Sequence, residues 1–178
     1  MQLTASACNR QAIVQNAYHV ADLDVAVEHF SRTCGIGPFL MRRNLVLTDV
    51  RYRGEPSSLT ISAAHAQAGD LQMELVQQHG DEPSTFRDMY SRDQCGFHHV
   101  AIIPEDYDAM VAHYHAQGFA AATELRTKEG RGATYIDTRP LFGHMLEIYL
   151  CNSSLVELYE YVERLGCEWD GTTLRVEG

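Results

Sequence analysis

Residues 15–30, QNAYHVADLDVAVEHF, and residues 99–114, HVAIIPEDYDAMVAHY, are two copies of one pattern. With Gln15 laid on His99, Asp22 falls on Asp106, and the stripe Leu23, Ala26, Val27, Phe30 falls on Tyr107, Met110, Val111, Tyr114. Both stripes have the i, i+3, i+4, i+7 spacing of a helix with one buried face. Each copy later closes on a strand-like run with a lone acid among apolar neighbours: LQMELV with Glu74, and HMLEIYL with Glu147.

Working outward, residues 13 to 20 read as a strand. Asp22 caps a helix running to about Cys34, where CGIGP stops it. Three β-type segments follow, FLMRRNLVL, LTISAAHAQ and LQMELVQQ, completing a first unit over residues 13–78. Residues 80 to 95 are a polar bridge. A second unit, residues 97–150, repeats the order: FHHVAII, a helix from about Glu105 to Gln117, FAAATELRT, GATYIDTR and HMLEIYL. The expectation is an α+β fold of two βαβββ modules in a single domain, residues 1–178. A third helix, residues 153–166, stands outside the repeat. Ser154 and Glu157 form its capping box, Leu155, Leu158, Tyr159 and Val162 its apolar stripe, and Gly166 its end. It is expected to pack across a sheet or a subunit boundary. The tail CEWDGTTLRVEG adds a short strand.

Composition removes several classes of function. The balance of 14 Lys and Arg against 24 Asp and Glu, a formal charge of −10, opposes binding to a phosphate backbone or an anionic membrane surface. The start, MQLTASACNR, lacks a basic region leading into an apolar run, and no stretch approaches the ~18 apolar residues of a membrane span. A cytoplasmic location is therefore expected, with no nucleic acid or membrane partner. The five cysteines, Cys8, Cys34, Cys95, Cys151 and Cys167, are scattered without zinc-ribbon or thioredoxin spacing and read as reduced thiols.

Chemistry concentrates in the closing strands. Side chains alternate between faces, so Leu71, Met73 and Leu75 oppose Gln72, Glu74 and Val76, and Leu146, Ile148 and Leu150 oppose Met145, Glu147 and Tyr149. The apolar faces suit packing on helices, which leaves each glutamate on the other face. There a buried carboxylate is costly unless a cation or hydrogen-bond donor meets it. Gln15 and His99 hold matching places in the two opening strands, so Gln15, Glu74, His99 and Glu147 offer one imidazole and three oxygen ligands. That set suits Zn, Mn, Co, Ni or Fe(II), with zinc first. Adjacent His98 and His99 are expected to point to opposite faces, the register with Gln15 selecting His99 as ligand and leaving His98 in the core.

The paired units, with DLDVAVEHF, GFHHVAIIPEDYDAMVAHY and the late ELV and LEIYL strands, resemble the glyoxalase, bleomycin-resistance and extradiol-dioxygenase superfamily, the vicinal oxygen chelate proteins. The likeness spans about residues 13 to 150. It implies a cupped mixed sheet with a divalent metal bound by Gln15, Glu74, His99 and Glu147, a set similar to that of eukaryotic glyoxalase I, whereas methylmalonyl-CoA epimerases typically carry His at the first position. It further implies Glu147 as the base that moves a proton beside a carbonyl, with Glu74 as its partner. Homodimers are common in the superfamily, and a homodimer is the expected assembly.

The leading expectation is a metal-dependent isomerase, epimerase or lyase acting on a small carbonyl substrate, a 2-oxo compound, thioester or lactone, through a metal-stabilised enolate. Two alternatives stand beside it: a metal-free drug-binding protein of the bleomycin-resistance type, and an Fe(II) ring-cleaving dioxygenase, which the Gln15 and Glu74 ligands fit poorly. Arg53, Tyr52 and Arg139, with Arg51, are candidates to grip a substrate carboxylate or phosphate. His19, His65, His79 and His144 are candidates to line the cup, and His29, His113 and His115 are expected in solvent.

Overall fold

A computed structural model describes residues 12–130 and 132–178. Its eleven strands, named in chain order, are β1 (Ile13–His19), β2 (Phe39–Leu45), β3 (Leu47–Tyr52), β4 (Glu55–Pro56), β5 (Ile61–Ala68), β6 (Leu71–Gln78), β7 (Gly96–Ile102), β8 (Ala121–Thr127), β9 (Gly132–Ile136), β10 (Met145–Leu150) and β11 (Arg175–Glu177). Helices are α1 (Leu23–Cys34), α2 (Tyr107–Ala116), α3 (Arg139–Phe142) and α4 (Ser153–Cys167). All strands share one sheet, ordered β11-β2-β5-β6-β1-β7-β10-β9-β8-β3-β4. The sequence repeat is visible as symmetry: β2-β5-β6-β1 on one side of the centre mirrors β8-β9-β10-β7 on the other.

The helices start where the repeat places them. Asp22 accepts from Val25 N at the head of α1, and Asp106 accepts from Ala109 N at the head of α2, each satisfying an amide that has no partner within the helix. Gly35 closes α1 in the left-handed conformation, with φ 65°. One face of the sheet carries α1 over Leu75, Ala64 and Met41, and α2 over Ile102, Ile136 and Leu146. The opposite, concave face holds Val76, Leu125, Ala133 and Tyr135 around Phe86.

The segment read as a strand, FLMRRNLVL, forms β2 as far as Leu45, and an unexpected strand, β3 (LTDVRY), begins at its last residue. β2 pairs with β5, whereas β3 leaves it and pairs antiparallel with β8, at the far edge of the second module. Asn44 and Asp49 take φ of 48° and 49°, a left-handed conformation that Asn and Asp tolerate better than other side-chain-bearing residues. The exchange of partners draws the two edges together and makes the sheet a cup. Past β3, Arg53 reaches Asp88 and Asp137 at 2.6 and 3.1 Å, and Arg139 holds Asp137 at 2.6 Å, so module one, bridge and module two are pinned by alternating charges.

Three expectations are revised. Helix α4 is capped by Asn152, which accepts from Leu155 N, and runs through Gly166 to Cys167 instead of starting at a Ser154 box and ending at the glycine. It lies across its own sheet, with Leu155 and Tyr159 packed on Val14, Ala101 and Ile103. Cys34, Cys95 and Cys167 are free thiols, but Cys151 is disulfide-bonded. The tail strand forms as expected, β11 pairing in parallel with β2. Among the described residues no helix is long and apolar enough to cross a membrane.

The polar bridge contributes to the core. Phe86 is fully buried and its ring meets His98 at 4.5 Å and Tyr135 at 5.8 Å. Replacing it with alanine removes a core aromatic, so Phe86→Ala is expected to lower the unfolding free energy by about 3–5 kcal/mol, measurable by urea denaturation of the purified protein.

Candidate metal centre

The four residues singled out by spacing lie on the four central strands. β1 and β7 run antiparallel, with Ala17 opposite His99 and Gln15 opposite Ala101. β6 flanks β1 in parallel, placing Glu74 beside Ala17 and Gln72 beside Gln15. β10 flanks β7 in the same way, placing Glu147 beside Ala101 and Met145 beside His99. Residues paired across strands share a face. One row of the concave face therefore reads His65, Glu74, Ala17, His99, Met145, and the next reads Gln72, Gln15, Ala101, Glu147, Tyr135. Each ligand candidate has an alanine methyl beside it, which leaves open the space between the four.

Glu74, His99 and Glu147 converge. His99 Nε2 lies 2.9 Å from Glu147 Oε2 and 3.4 Å from Glu74 Oε2, and one potential ligand atom from each residue falls within 4.8 Å of the others. All three are buried, yet His99 Nε2, Glu74 Oε2 and Glu147 Oε2 lack a well-directed hydrogen bond. Such atoms are strongly unfavourable unless something meets them. Two anionic oxygens and an imidazole nitrogen aimed at one point fit a divalent cation. Gln15 is fully buried; its amide nitrogen donates to Gln72 Oε1 at 2.6 Å, and its oxygen accepts from Tyr149 at 3.1 Å. A carbonyl oxygen has two lone pairs, so one stays available to an ion.

Burial alone would push Glu74 up and His99 down, but their partners outweigh it. His65, whose Nε2 lies 3.1 Å from Glu74 Oε1, and His99 hold the Glu74 carboxyl far below its ordinary range. Against desolvation, Glu147 and Glu74 raise His99 to about 9 in the ion-free protein. Tyr135, Tyr149 and Tyr159 are driven well above 10 by burial and, after it, by the two glutamates, so all three phenols stay protonated. A cleft of about 50 Å3 opens onto Glu74 and Glu147, with His65, Tyr135 and Tyr149 in its polar wall and Leu155 and Leu158 of α4 opposite. That is room for an ion with a few waters.

Other candidates go elsewhere. Arg53 and Arg139 are occupied by Asp88 and Asp137, and Tyr52 donates to Asp88 at 2.7 Å, so none lines this cleft. Arg51 reaches Gly54 O. Of the four histidines considered for the cup, only His65 lines the cleft. His19 pairs with Gln94 O and Arg87, His79 meets Ser62, and His144 stacks on Phe142. His29, His113 and His115 are exposed as expected. Sequence reading passed over Tyr135, Tyr149 and Gln72. Their signal was their alternation in step with Glu147 and Glu74 along the same or neighbouring strands.

His98 is buried and hydrogen-bonded in the core as expected, but not on the face opposite His99. The β1–β7 register skips one residue at Val14 and one at His98, each immediately before Gln15 or His99. These bulges re-aim side chains, and His98 turns to the same side as its neighbour, against Phe86 and Tyr135.

The family described as the Glyoxalase/Bleomycin resistance protein/Dioxygenase superfamily matches residues 14–136. The chain belongs to this superfamily. Among solved structures, the methylmalonyl-CoA epimerase from Mycobacterium tuberculosis is similar at 18% identity and a TM-score of 0.54, covering 82% of this chain and 91% of that one. A Streptomyces coelicolor methylmalonyl-CoA epimerase variant in complex with 2-nitronate-propionyl-CoA matches at 19% and 0.57, covering 80% and 96%. A hypothetical protein from Bacillus halodurans C-125 matches at 12% and 0.60, covering 80% and 95%. No curated protein matches in sequence. At these identities the superfamily member shares a fold with the epimerases, and the likeness says no more.

Because the folded-state value of His99 lies above its ordinary 6.5, His99 contributes stability that is full below about pH 6.5 and is lost as pH rises through about 9. The melting temperature of chelator-treated protein should fall across that window, and His99→Gln should flatten the fall, as read by calorimetry from pH 6 to 10.

Proposed function

We propose that this superfamily member is a metal-dependent isomerase, epimerase or lyase that moves a proton beside the carbonyl of a small 2-oxo compound, thioester or lactone. The observation that carries the reading is the convergence of three buried, unsatisfied ligand atoms on Glu74, His99 and Glu147. Gln15 completes the set from the opening strand, and zinc is the first choice of ion for one nitrogen and three oxygens. Such an ion supplies Lewis acidity, polarising a carbonyl and stabilising charge that develops on its oxygen.

The chain's own groups do the rest. Glu147 takes the proton from the carbon next to the carbonyl and returns it on the same face in an exchange. For an epimerisation Glu147 keeps that proton and Glu74, on the other side of His99, takes up one from solvent and delivers it to the opposite face, after which Glu147 releases its own to solvent. His65 fixes the Glu74 carboxylate at 3.1 Å so that its second oxygen faces inward. The protonated phenols of Tyr135 and Tyr149 wall the cleft, and Tyr149 holds Gln15. Leu155 and Leu158 exclude water on the α4 side, where low polarity strengthens every charge interaction at the site. With about 50 Å3 available, the reacting carbonyl end enters while any larger body of the substrate stays outside or displaces α4.

Glu147→Gln keeps an oxygen ligand but removes the base. Incubated in D2O with a panel of 2-oxo acids, acyl thioesters and lactones, the zinc-loaded protein should exchange the α-hydrogen of at least one class, followed by proton NMR. The variant should retain about one zinc per chain and lose the exchange by roughly 10²–10⁴-fold. Exchange that persists in the variant would remove Glu147 from its role.

A further inference from the structure

The bulge at His98 sets up a chain of hydrogen bonds whose polarity is fixed from its far end. Thr85 in the bridge presents a carbonyl oxygen 3.0 Å from His98 Nε2. A carbonyl only accepts, so His98 Nε2 carries the hydrogen. The other ring nitrogen, His98 Nδ1, lies 2.8 Å from His99 Nδ1. Two bare nitrogens cannot share that contact, and neither can two N–H groups. Either His98 is neutral and accepts from His99, or His98 is a buried imidazolium and donates. Among the described residues no carboxylate meets His98; its neighbours are Thr85 O, the Phe86 ring at 4.5 Å and the Tyr135 ring at 6.1 Å. An unpaired buried cation is much the costlier choice. Both carboxylates stand on the far side of His99, facing Nε2. Polarity therefore runs outward from the site: His99 Nδ1–H to His98 Nδ1, then His98 Nε2–H to Thr85 O.

We infer that His98 is a positioning residue, which holds His99 with its hydrogen on Nδ1 so that Nε2 is presented to the ion as a lone pair. This rests on the metal-centre reading above and adds to it the group that selects the tautomer. Ligating imidazoles elsewhere commonly give their second N–H to a carboxylate or a backbone carbonyl. Here a second imidazole stands between ligand and carbonyl. The arrangement exists only because the bulge puts adjacent residues on one face, since a regular strand would send the His98 ring away. The bridge completes it. Thr85 N donates to Thr123 Oγ1 at 2.9 Å, and Phe86 is sealed in the core, so the accepting carbonyl is fixed to both the second module and the cup floor.

The test compares two substitutions in the full chain. His98→Phe keeps a ring against Phe86 and removes the acceptor, whereas His98→Gln offers an amide that accepts from His99 and donates to Thr85. Co2+ affinity is read by isothermal titration, with far-UV circular dichroism as the check on folding. His98→Phe should weaken Co2+ binding by about 10–100-fold, and His98→Gln should recover most of the loss. Independently of either variant, long-range 1H–15N spectra of the zinc-loaded wild type should show His99 protonated at Nδ1 and His98 at Nε2. Equal affinity in His98→Phe and wild type, or a His99 ring with bare Nδ1, would overturn the positioning role while leaving the metal centre intact. Absence of Co2+ binding by the wild type, matched by His99→Ala, would overturn both.

Discussion

The structure is organised around two carboxylates and an imidazole that have been taken out of water and pointed at one another. Removing a charge from water costs several kcal/mol even after relaxation, and a direct contact recovers this only with good geometry. Here His99 Nε2 is shared between Glu147 and Glu74 without a well-directed bond to either. The surrounding residues reduce the cost in identifiable ways. His65 supports one carboxylate, Tyr149 and Gln72 hold the Gln15 amide, and two alanines leave the centre open.

The rest of the fold maintains that convergence. Two modules present equivalent strands, β1 with β6 and β7 with β10, in equivalent register, so each contributes two ligand candidates to a shared centre. Closure comes from elements outside the repeat. β3 crosses to the second module, the Arg53, Asp88, Asp137 and Arg139 cluster fastens it there, and α4 lies over the concave face. The result is a small, largely apolar-walled cleft, in which electrostatic interactions are stronger than in bulk water.

Much of this was legible in the sequence because it follows from periodicity. The two stripes, the caps at Asp22 and Asp106, and the alternation that puts Glu74 and Glu147 opposite the helix-covered faces need only helix and strand repeat lengths. What escaped depends on departures from those periods. The residue skipped at His98 reverses the face of a side chain, and no local composition marks it. Likewise β3 is unmarked in the sequence, where TDVRY merges into the turn-like RGEPSS that follows, and nothing local names β8 as its partner. Arg53 and Arg139 look like anion grips until the fold supplies Asp88 and Asp137, which lie far from Arg53 in the chain. His65 gains significance only by standing opposite Glu74 across β5 and β6.

The central claim, that the buried acids and His99 exist to hold a divalent ion, is tested most directly by anomalous X-ray diffraction from crystals of the zinc-loaded protein, collected on either side of the zinc edge. The account predicts one peak among Gln15, Glu74, His99 and Glu147, about 2.0–2.2 Å from His99 Nε2 and the carboxylate oxygens. Full-occupancy zinc located only elsewhere, with His99 still in direct contact with Glu147 and Glu74, would contradict it.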